Sequence, residues 1–196
     1  MHGHGRELLA LGRYDEAEER LLEALARARR IEGPDHPSTL RTERSFATLR
    51  LAKGRNEEAL AILESNVAAT RRAEENAHAL GTALALLGQA LNALERYVEA
   101  EAAFGEALPL IEQALPEPHP DLAEARSHRG TALAGLGRFE DAESLLINAY
   151  RSLSTIEDLD PERTARAAGR VADFYGRRRD DAEASAWRER AHPNTR

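Results

Sequence analysis

The sequence of 196 residues contains no cysteine. This absence excludes disulfide bonds, a thiol nucleophile and any metal site built on thiolates, and it leaves the redox compartment open. Aromatic residues make up only 5% of the chain, and tryptophan occurs once, whereas 37 residues are alanine. Small side chains favour close packing between helices over a bulky sandwich core, so the composition predicts an all-α protein.

Long apolar runs are also missing. No stretch resembles an 18-residue membrane span or a secretory signal peptide, so a cytoplasmic location is predicted. The 34 acidic residues outnumber the 27 basic ones, and the formal net charge of -7 disfavours broad binding to nucleic acid or to anionic membranes. Lys53 is the only lysine. This bias towards arginine and alanine indicates a GC-rich coding source, and hence a bacterial one.

One short motif recurs along the chain. Its clearest copy is Gly-Arg-Phe-Glu-Asp-Ala-Glu at residues 137–143, and earlier copies begin at Gly12, Gly54 and Glu95, with a shorter one at Arg179. The motif alanines at positions 17, 59, 100, 142 and 182 lie 42, 41, 42 and 40 residues apart. A period in this range predicts one stacked array of helical units, each contacting only its neighbours.

Apolar residues at three- and four-residue steps predict two amphipathic helices in each unit. Breaks such as residues 33–37 contain glycine and proline and end the units. Ser38 or Thr39 is predicted to cap the helix that follows, and Pro109 is predicted to kink its helix or to end it near Leu108. The predicted units are residues 1–33 with a partial first helix, 34–76, 77–117, 118–158 and 159–192, followed by a tail at 193–196.

The two ends of the array differ from its middle. Residues 4–11 run into the first motif copy without a capping residue and look like half a unit, which predicts a fragment of a longer protein or a fraying helix, with a short native start as the alternative. Near the other end, the turn at residues 176–179 is predicted to be one residue longer than its counterparts. The final helix is more polar, as suits an end cap, and Trp187 is predicted to pack on Phe174 or Tyr175.

Together with the glycine seven residues ahead of its first position, the motif resembles the tetratricopeptide repeat (TPR). Examples are Leu87-Gly88 before Tyr97 and Ala100, and Gly130 before Phe139 and Ala142. The resemblance covers nearly the whole chain and implies a right-handed superhelical solenoid of stacked antiparallel helix pairs. It also implies close helix approach at small residues, aromatic wedges between units and a concave wall built from the first helix of each unit. The small residues are Gly88, Gly130 and Gly169, and the aromatic ones are Tyr14, Tyr97 and Phe139.

The spacing of about 42 residues and the Gly-x-x-His-Pro break at residue 33 are similar to the kinesin-light-chain variety of this repeat. That variety is frequent in bacterial signalling proteins and commonly carries paired asparagines on the concave wall. The equivalent pairs here are Ala85-Leu86 and Ser127-His128, so the chain departs from the asparagine pattern. The lysines and asparagines of a carboxylate clamp are not at the expected places either.

Polar residues recur along the implied concave wall, and two arginine clusters flank a neutral middle. Because the planar guanidinium suits carboxylates, the predicted partner is a protein or an extended peptide segment of acidic character, while a solvated arginine-rich face is the alternative. Glu124 lies on the same wall. The predicted groove residues are Arg41, Arg44, Thr48, Thr82, Gln89, Asn92, Ser127, His128, Thr131, Arg163, Arg166 and Arg170.

No nucleophile, base and orienting acid form a recognisable motif, and there is no glycine-rich phosphate loop, so no catalytic residue and no cofactor is predicted. His36, His78 and His119 lie one per break and are interpreted as turn histidines, not as metal ligands. His2 and His4 would bind a metal only weakly, since no carboxylate supports them.

The sequence therefore predicts a non-catalytic protein-interaction module that binds a peptide or a helix in its concave groove. Two alternatives stay open. One is a regulatory or sensor region of a larger signalling protein, such as a bacterial Ser/Thr kinase or a transcription regulator. The other is a structural spacer that self-associates through its N-terminal face.

Overall fold

The structure is a computed structural model that describes residues 5, 7–9, 11–73 and 76–192. In these ranges every regular element is a helix, and the helical residues 5 and 7–9 precede nine longer helices. The predicted half-unit lies partly outside the described residues, and the tail at 193–196 wholly so. The helices are α1 (Tyr14–Ile31), α2 (Pro37–Ala52), α3 (Asn56–Arg72), α4 (Ala77–Ala93), α5 (Tyr97–Ala114), α6 (Pro120–Gly135), α7 (Phe139–Ser154), α8 (Pro161–Arg177) and α9 (Asp181–Ala191).

Each motif copy places one residue in the left-handed backbone region, between the two helices of a pair. At one such turn the amide of Gly137 donates to the Ala134 carbonyl at 3.1 Å, and the amide of Arg138 donates to the Leu133 carbonyl at 2.9 Å. This Schellman geometry satisfies carbonyls that the helix end leaves free, and it requires a positive φ. The turn residues are Gly12 (φ 69°), Gly54 (71°), Glu95 (59°), Gly137 (75°) and Arg179 (59°).

The fifth turn corrects two predictions. Arg179 lies 42 residues after Gly137, and three residues join α8 to α9 just as three join α6 to α7, so this turn is not longer than the others. The buried alanine of the fifth copy is Ala184, which is 0% exposed and lies 42 residues after Ala142, whereas Ala182 is exposed. The run at residues 180–184 lacks the aromatic residue of the motif, so its sequence fits two registers and only packing decides between them.

His36 caps α2, since its Nδ1 accepts the amide hydrogen of Ser38 at 3.3 Å. Pro37 is the first helical residue, a place where its fixed φ suits the helix and its missing N–H costs nothing. The prediction that Ser38 or Thr39 provides the cap is therefore wrong, because the helix begins before both of them.

The three break histidines do not have the same structural role. His119 caps α6 in the same way as His36, with its Nδ1 accepting the amide hydrogen of Asp121 at 3.2 Å. Asn76 caps α4 instead, accepting the amide hydrogen of Ala79 at 2.9 Å. His78 lies inside the first turn of α4, so its interpretation as a turn histidine is wrong, whereas those of His36 and His119 are confirmed.

Pro109 was predicted either to kink its helix or to end it near Leu108, and the helix does not end there. α5 continues to Ala114, and Leu108 and Ile111 on its packed face are 5% and 2% exposed. Pro109 itself is exposed, and so is Gly105, the residue whose carbonyl loses its helical partner to the proline ring. Because water reaches this side, one hydrogen bond is lost without a buried orphan group, and the packed face keeps the helix continuous.

The helices form two layers. Every helix packs against its neighbours in the chain, and α2, α4, α6 and α8 also contact one another in succession. Among the described residues, α1, α3, α5, α7 and α9 make no contacts of this kind with each other. An array whose inner helices touch while its outer helices stay apart is curved, and the inner helices line its concave wall.

Two of the three predicted glycine contacts are confirmed. A Cβ on Gly88 would lie 2.6 Å from the Phe104 ring, and one on Gly130 would lie 2.7 Å from a leucine side chain of α7. Outside the local backbone of its own helix, no atom of the described residues lies within 4 Å of the same point on Gly169, so the prediction for that glycine is wrong. Gly88 and Gly130 lie seven residues before their turn residue, and the residue at that place in α8 is Ala172.

Tyr97 confirms the predicted aromatic wedge between units. Its ring lies 2.4 Å from the place of a Cβ on Gly135, so only glycine fits opposite it, and its hydroxyl accepts a hydrogen bond from Arg177 at 3.1 Å. Further along, Trp187 is 6% exposed and belongs to the same core cluster as Phe174 and Tyr175, as predicted. Solenoid packing therefore continues through the last helix pair.

The left-handed turns carry a stability prediction. Glu95 adopts a left-handed backbone conformation that is strained for it and unstrained for glycine. Glu95→Gly is therefore expected to raise the free energy of unfolding by up to about 1 kcal/mol. The matched change Gly137→Ala introduces the same strain and is expected to lower it by about 1 kcal/mol. Urea denaturation followed by circular dichroism measures both, and shifts of the same sign would contradict the account.

Candidate functional site

Residues at equal distances before each left-handed turn residue occupy equivalent places on the concave wall. Because the inner helices lie side by side, each such set forms a row across the wall. Thirteen residues before the turn, the row is Arg41, Thr82, Glu124 and Arg166. Nine residues before it, the row is Ser45, Leu86, His128 and Arg170.

A groove of about 620 Å³ crosses this wall from α2 over α4 to α6. Its sides are polar or charged, its middle is neutral, and Ile111 reaches it from the outer helix α5. Leu9 and Pro37 complete its edge on the α2 side. The remaining lining residues are Arg41, Arg44, Ser45 and Thr48 on α2 with Asn76 before α4, His78, Ala79, Thr82, Ala85, Leu86 and Gln89 on α4, and Asp121, Glu124 and Ala125 on α6.

Five of the twelve predicted groove residues line this groove, namely Arg41, Arg44, Thr48, Thr82 and Gln89. The guanidinium of Arg41 is exposed, and no described residue forms an ion pair or a hydrogen bond with it. The side-chain amide of Gln89, which is half-buried, likewise has no hydrogen-bond partner among the described residues. The hydroxyl of Thr82 donates to its own helix, at 2.8 Å from the His78 carbonyl. Arg41 and Gln89 therefore have the donors that are ready for a ligand.

The guanidinium of Arg44 is hydrogen-bonded to side chains in the interior of the protein. Its Nη1 donates to Asn66 Oδ1 at 3.3 Å and to Thr70 Oγ1 at 3.5 Å, and both partners lie on α3. Asn66 is 0% exposed, and its Nδ2 donates to the Leu40 carbonyl at 2.9 Å and to Glu43 at 3.1 Å. Arg44 is only 8% exposed, so it belongs to a buried polar network that joins α2 to α3 and presents one edge to the groove.

Three neutral residues of the predicted set do not line the groove, and two of them, Asn92 and Ser127, join inner helices. Asn92 donates from Nδ2 to the His128 carbonyl at 2.8 Å, which ties α4 to α6. Ser127 is 0% exposed and accepts a hydrogen bond from Arg170 Nε at 2.8 Å, which ties α6 to α8. Thr131 donates to the Ser127 carbonyl of its own helix at 3.4 Å. The three side chains therefore bond within the fold, although Asn92 Oδ1 is buried with no hydrogen-bond partner among the described residues.

His128 and Arg170 are neighbours under the α6 and α8 part of the wall. The imidazole stacks on Phe104, with ring centroids 6.4 Å apart and planes 6° apart. Burial, together with the positive charges of Arg170 and Arg166, holds the pKa of His128 well below its usual value, so the ring is neutral at neutral pH. Burial also lowers the pKa of Arg170 to about 10, and its Nη2 is buried with no hydrogen-bond partner among the described residues.

The second predicted arginine cluster is neutralised by carboxylates. Arg163 donates from Nε and Nη2 to both oxygens of Glu124 at 2.9 Å, and from Nη2 to Asp121 at 2.7 Å. Burial by itself lowers the pKa of Arg163, but these hydrogen bonds outweigh it and raise the pKa overall. Arg166 lies 3.7 Å from Glu124 and 3.4 Å from Glu162. The wall therefore does not have two equivalent free arginine clusters.

Asp121, His78 and Ile111 line the groove but were not predicted. Asp121 precedes Glu124 by three residues, so the two side chains share a helix face, and this spacing was the available signal. His78 was missed because α4 begins earlier than its sequence indicates. Ile111 was missed because it belongs to an outer helix and reaches the groove between two inner ones.

Comparison with known proteins agrees with this geometry. The family model described as "Tetratricopeptide repeat" matches residues 1–72 and 79–155. The chain belongs to the tetratricopeptide repeat family, whose members generally act in protein–protein interaction. No curated protein matches the chain.

Solved structures with this fold include kinesin-light-chain-like members. TPR-like repeats of a kinesin-light-chain-type protein from Podosopora anserina superpose with a TM-score of 0.67 at 22% identity, over 98% of this chain and 92% of theirs. BtubC (BKLC) from P. vanneervenii gives 0.70 at 19%, over 96% and 76%. YrrB, described as a TPR protein with an unusual peptide-binding site, gives 0.53 at 19%, over 97% and 84%. These likenesses concern the fold.

Two further properties bear on the site. In the described ranges, no helix combines the length and apolar character needed to cross a membrane. Across those same ranges, no three histidine, aspartate or glutamate side chains gather as a metal site would require. His2 and His4 lie outside the described residues.

Proposed function

We propose that this protein is a non-catalytic interaction module that holds a peptide, or a helix of another protein, in the groove across α2, α4 and α6. The observation that carries the proposal is the groove itself, about 620 Å³ on the concave wall of a TPR solenoid. A concave site with a small apolar patch and a few converging polar groups is typical of peptide recognition. The accessible part of the patch is provided by the half-buried Leu86, since Ile111 is only 2% exposed.

The polar groups of the groove suit a peptide backbone. Gln89 has two donors and an acceptor in its side-chain amide, and it lies on α4 in the middle of the groove. An extended peptide presents an amide hydrogen and a carbonyl at every residue, so a free side-chain amide can bond to it whatever its sequence. This arrangement supports binding of the peptide main chain in the middle of the groove. The charged residues at its two sides would provide specificity for the side chains of the peptide.

The acidic character predicted for the partner is confined in this proposal to the α2 side of the groove. Arg41 is exposed there, whereas Arg44 is 8% exposed and Arg163 is paired with carboxylates. A carboxylate of the ligand would meet Arg41 in a charge-assisted hydrogen bond. The bacterial origin and the cytoplasmic location stay predictions from the sequence.

A paired-variant capture experiment tests the site. The double variant Arg41→Glu, Gln89→Lys alters two groove residues whose side chains have no partner among the described residues. The matched control Arg151→Glu, Gln113→Lys makes the same chemical changes at exposed positions of the outer helices α7 and α5. Partners captured from lysate by the unmodified protein are identified, and their binding to all three proteins is measured by calorimetry.

We expect the groove variant to bind a genuine partner at least about tenfold more weakly, which corresponds to about 1.4 kcal/mol. The control variant is expected to keep the original affinity, and circular dichroism should show both variants to be as helical as the unmodified protein. Equal affinities for the groove variant and the control would place binding on another surface.

A further inference from the structure

We infer that the groove selects an extended segment with opposite charges at its two ends: a carboxylate at Arg41 and a basic side chain at Asp121 and Glu124. The inference rests on the proposed function, since it names the chemistry of the ligand for that groove. It differs from the uniformly acidic partner that two arginine clusters would favour.

The charges of the groove are separated by one neutral helix. α4 contacts both α2 and α6, whereas α2 and α6 do not contact each other. The row thirteen residues before the turns therefore runs from Arg41 on α2, through Thr82 on α4, to Glu124 on α6. A ligand that crosses the groove along this row meets a positive side first, then a neutral middle, then a negative side.

The negative side keeps an excess of carboxylate after its internal pairing. Arg163, Arg166 and Arg170 contribute three positive charges, while Asp121, Glu124, Glu162 and Asp173 contribute four negative ones. The Asp121 side chain is 55% exposed, so water and a ligand can reach it. A guanidinium or ammonium group arriving there would complete the charge balance, whereas another carboxylate would be repelled.

The spacing of the helices sets the spacing of the ligand charges. Packed helices lie about 8–10 Å apart, so two steps from α2 to α6 span about 16–20 Å. An extended peptide advances about 3.3 Å per residue, which puts the two charges about five or six residues apart. Between them, the half-buried side chain of Leu86 favours an apolar side chain over the middle of the groove.

Synthetic peptides test the inference directly. The probes are fluorescent peptides of a neutral serine and leucine background that carry two charges five or six residues apart. One pool pairs an acidic with a basic residue in both chain directions, and three comparison pools carry two acidic, two basic or no charged residues. Fluorescence anisotropy gives the affinity of each pool for the unmodified protein and for single variants with reversed charge.

The mixed-charge pool is expected to bind at least about tenfold more tightly than every other pool, with the preference falling as salt increases. Arg41→Glu should shift the preference to the doubly basic pool, and Asp121→Lys should shift it to the doubly acidic one. If Asp121→Lys does not fold, Asp121→Asn takes its place, since it leaves the bond between Arg163 and Glu124 intact. It should weaken binding of the mixed-charge pool. These exchanges of preference would not follow from a general loss of folding.

Each other outcome has a definite meaning. If the doubly acidic pool binds best to the unmodified protein and Arg41→Glu abolishes its binding, opposite charge is overturned while peptide binding in the groove stands. If the mixed-charge pool binds equally well to all variants, the assigned poles are overturned. If no pool responds to any groove variant, both this inference and the proposed function fail.

Discussion

Replacing Asn66 with alanine is expected to lower the free energy of unfolding by about 2–4 kcal/mol. Asn66 is 0% exposed and is the shared partner of Arg44, of Glu43 and of the Leu40 carbonyl. Arg44 and Glu43 are 8% and 9% exposed, so water cannot replace the amide. The loss therefore includes the cost of leaving buried charged groups short of hydrogen bonds.

The control for this change is Asn148→Ala. Asn148 is exposed on α7, and its amide reaches only Ser144 at 3.4 Å, so its removal should change stability by less than about 0.5 kcal/mol. Urea denaturation measures both variants. The pair Asn66→Ala and Glu43→Gln should also be non-additive, since each removes part of the same network. Equal, small losses for Asn66→Ala and Asn148→Ala would show that the network contributes little.

The second large effect is expected at the contact between α4 and α5. Gly88→Ala would put a Cβ 2.6 Å from the Phe104 ring, which is itself 0% exposed and has no room to move aside. Overpacking of this kind outweighs the gain of about 1 kcal/mol in helix propensity, and we expect a net loss of about 1–2 kcal/mol. Since His128 stacks on the same ring, its position should change as well.

A matched glycine in α8 gives the opposite prediction. A Cβ on Gly169 meets no neighbouring side chain or helix within 4 Å in the part of the chain that the structure describes, so Gly169→Ala should raise stability by up to about 1 kcal/mol through helix propensity alone. Thermal denaturation of the two variants compares them directly. Combining Gly88→Ala with Phe104→Leu should recover part of the loss, because the smaller side chain makes room. A gain in stability for Gly88→Ala by itself would mean that the two helices separate easily.

The fold was predictable because its signal is repeated. The motif, its spacing and the glycines before it appear several times, so an error in one copy does not change the architecture. The errors in the register of the motif lie in its fifth copy, which matches the motif least. Arg179 takes the place of a turn glycine, and Ala184 takes the place expected for Ala182, because positive φ and burial are not visible in the residue type.

The electrostatics of the groove could be predicted only in part. Side chains one repeat apart face each other on neighbouring inner helices, so Asp121 meets Arg163. Arg170 lies one repeat after His128 and bonds to Ser127, the residue before that histidine. The sequence prediction placed Arg163 and Arg170 in the groove without taking these pairings between helices into account. Once the turn residues fix the register, the rows of the wall follow from the sequence, and so does the change of sign from Arg41 to Glu124.

Because the described outer helices do not pack against one another, the curvature of the array can change at the outer layer. Between α3 and α5, for instance, the long side chains of Arg71 and Glu106 bridge the layer at 2.6 Å without any packing of the helices themselves. Bending the array would therefore widen or narrow the spaces between successive outer helices, while the contacts between the inner helices are kept. Curvature can adjust to the thickness of whatever lies in the concavity, with little apolar surface exposed by the adjustment.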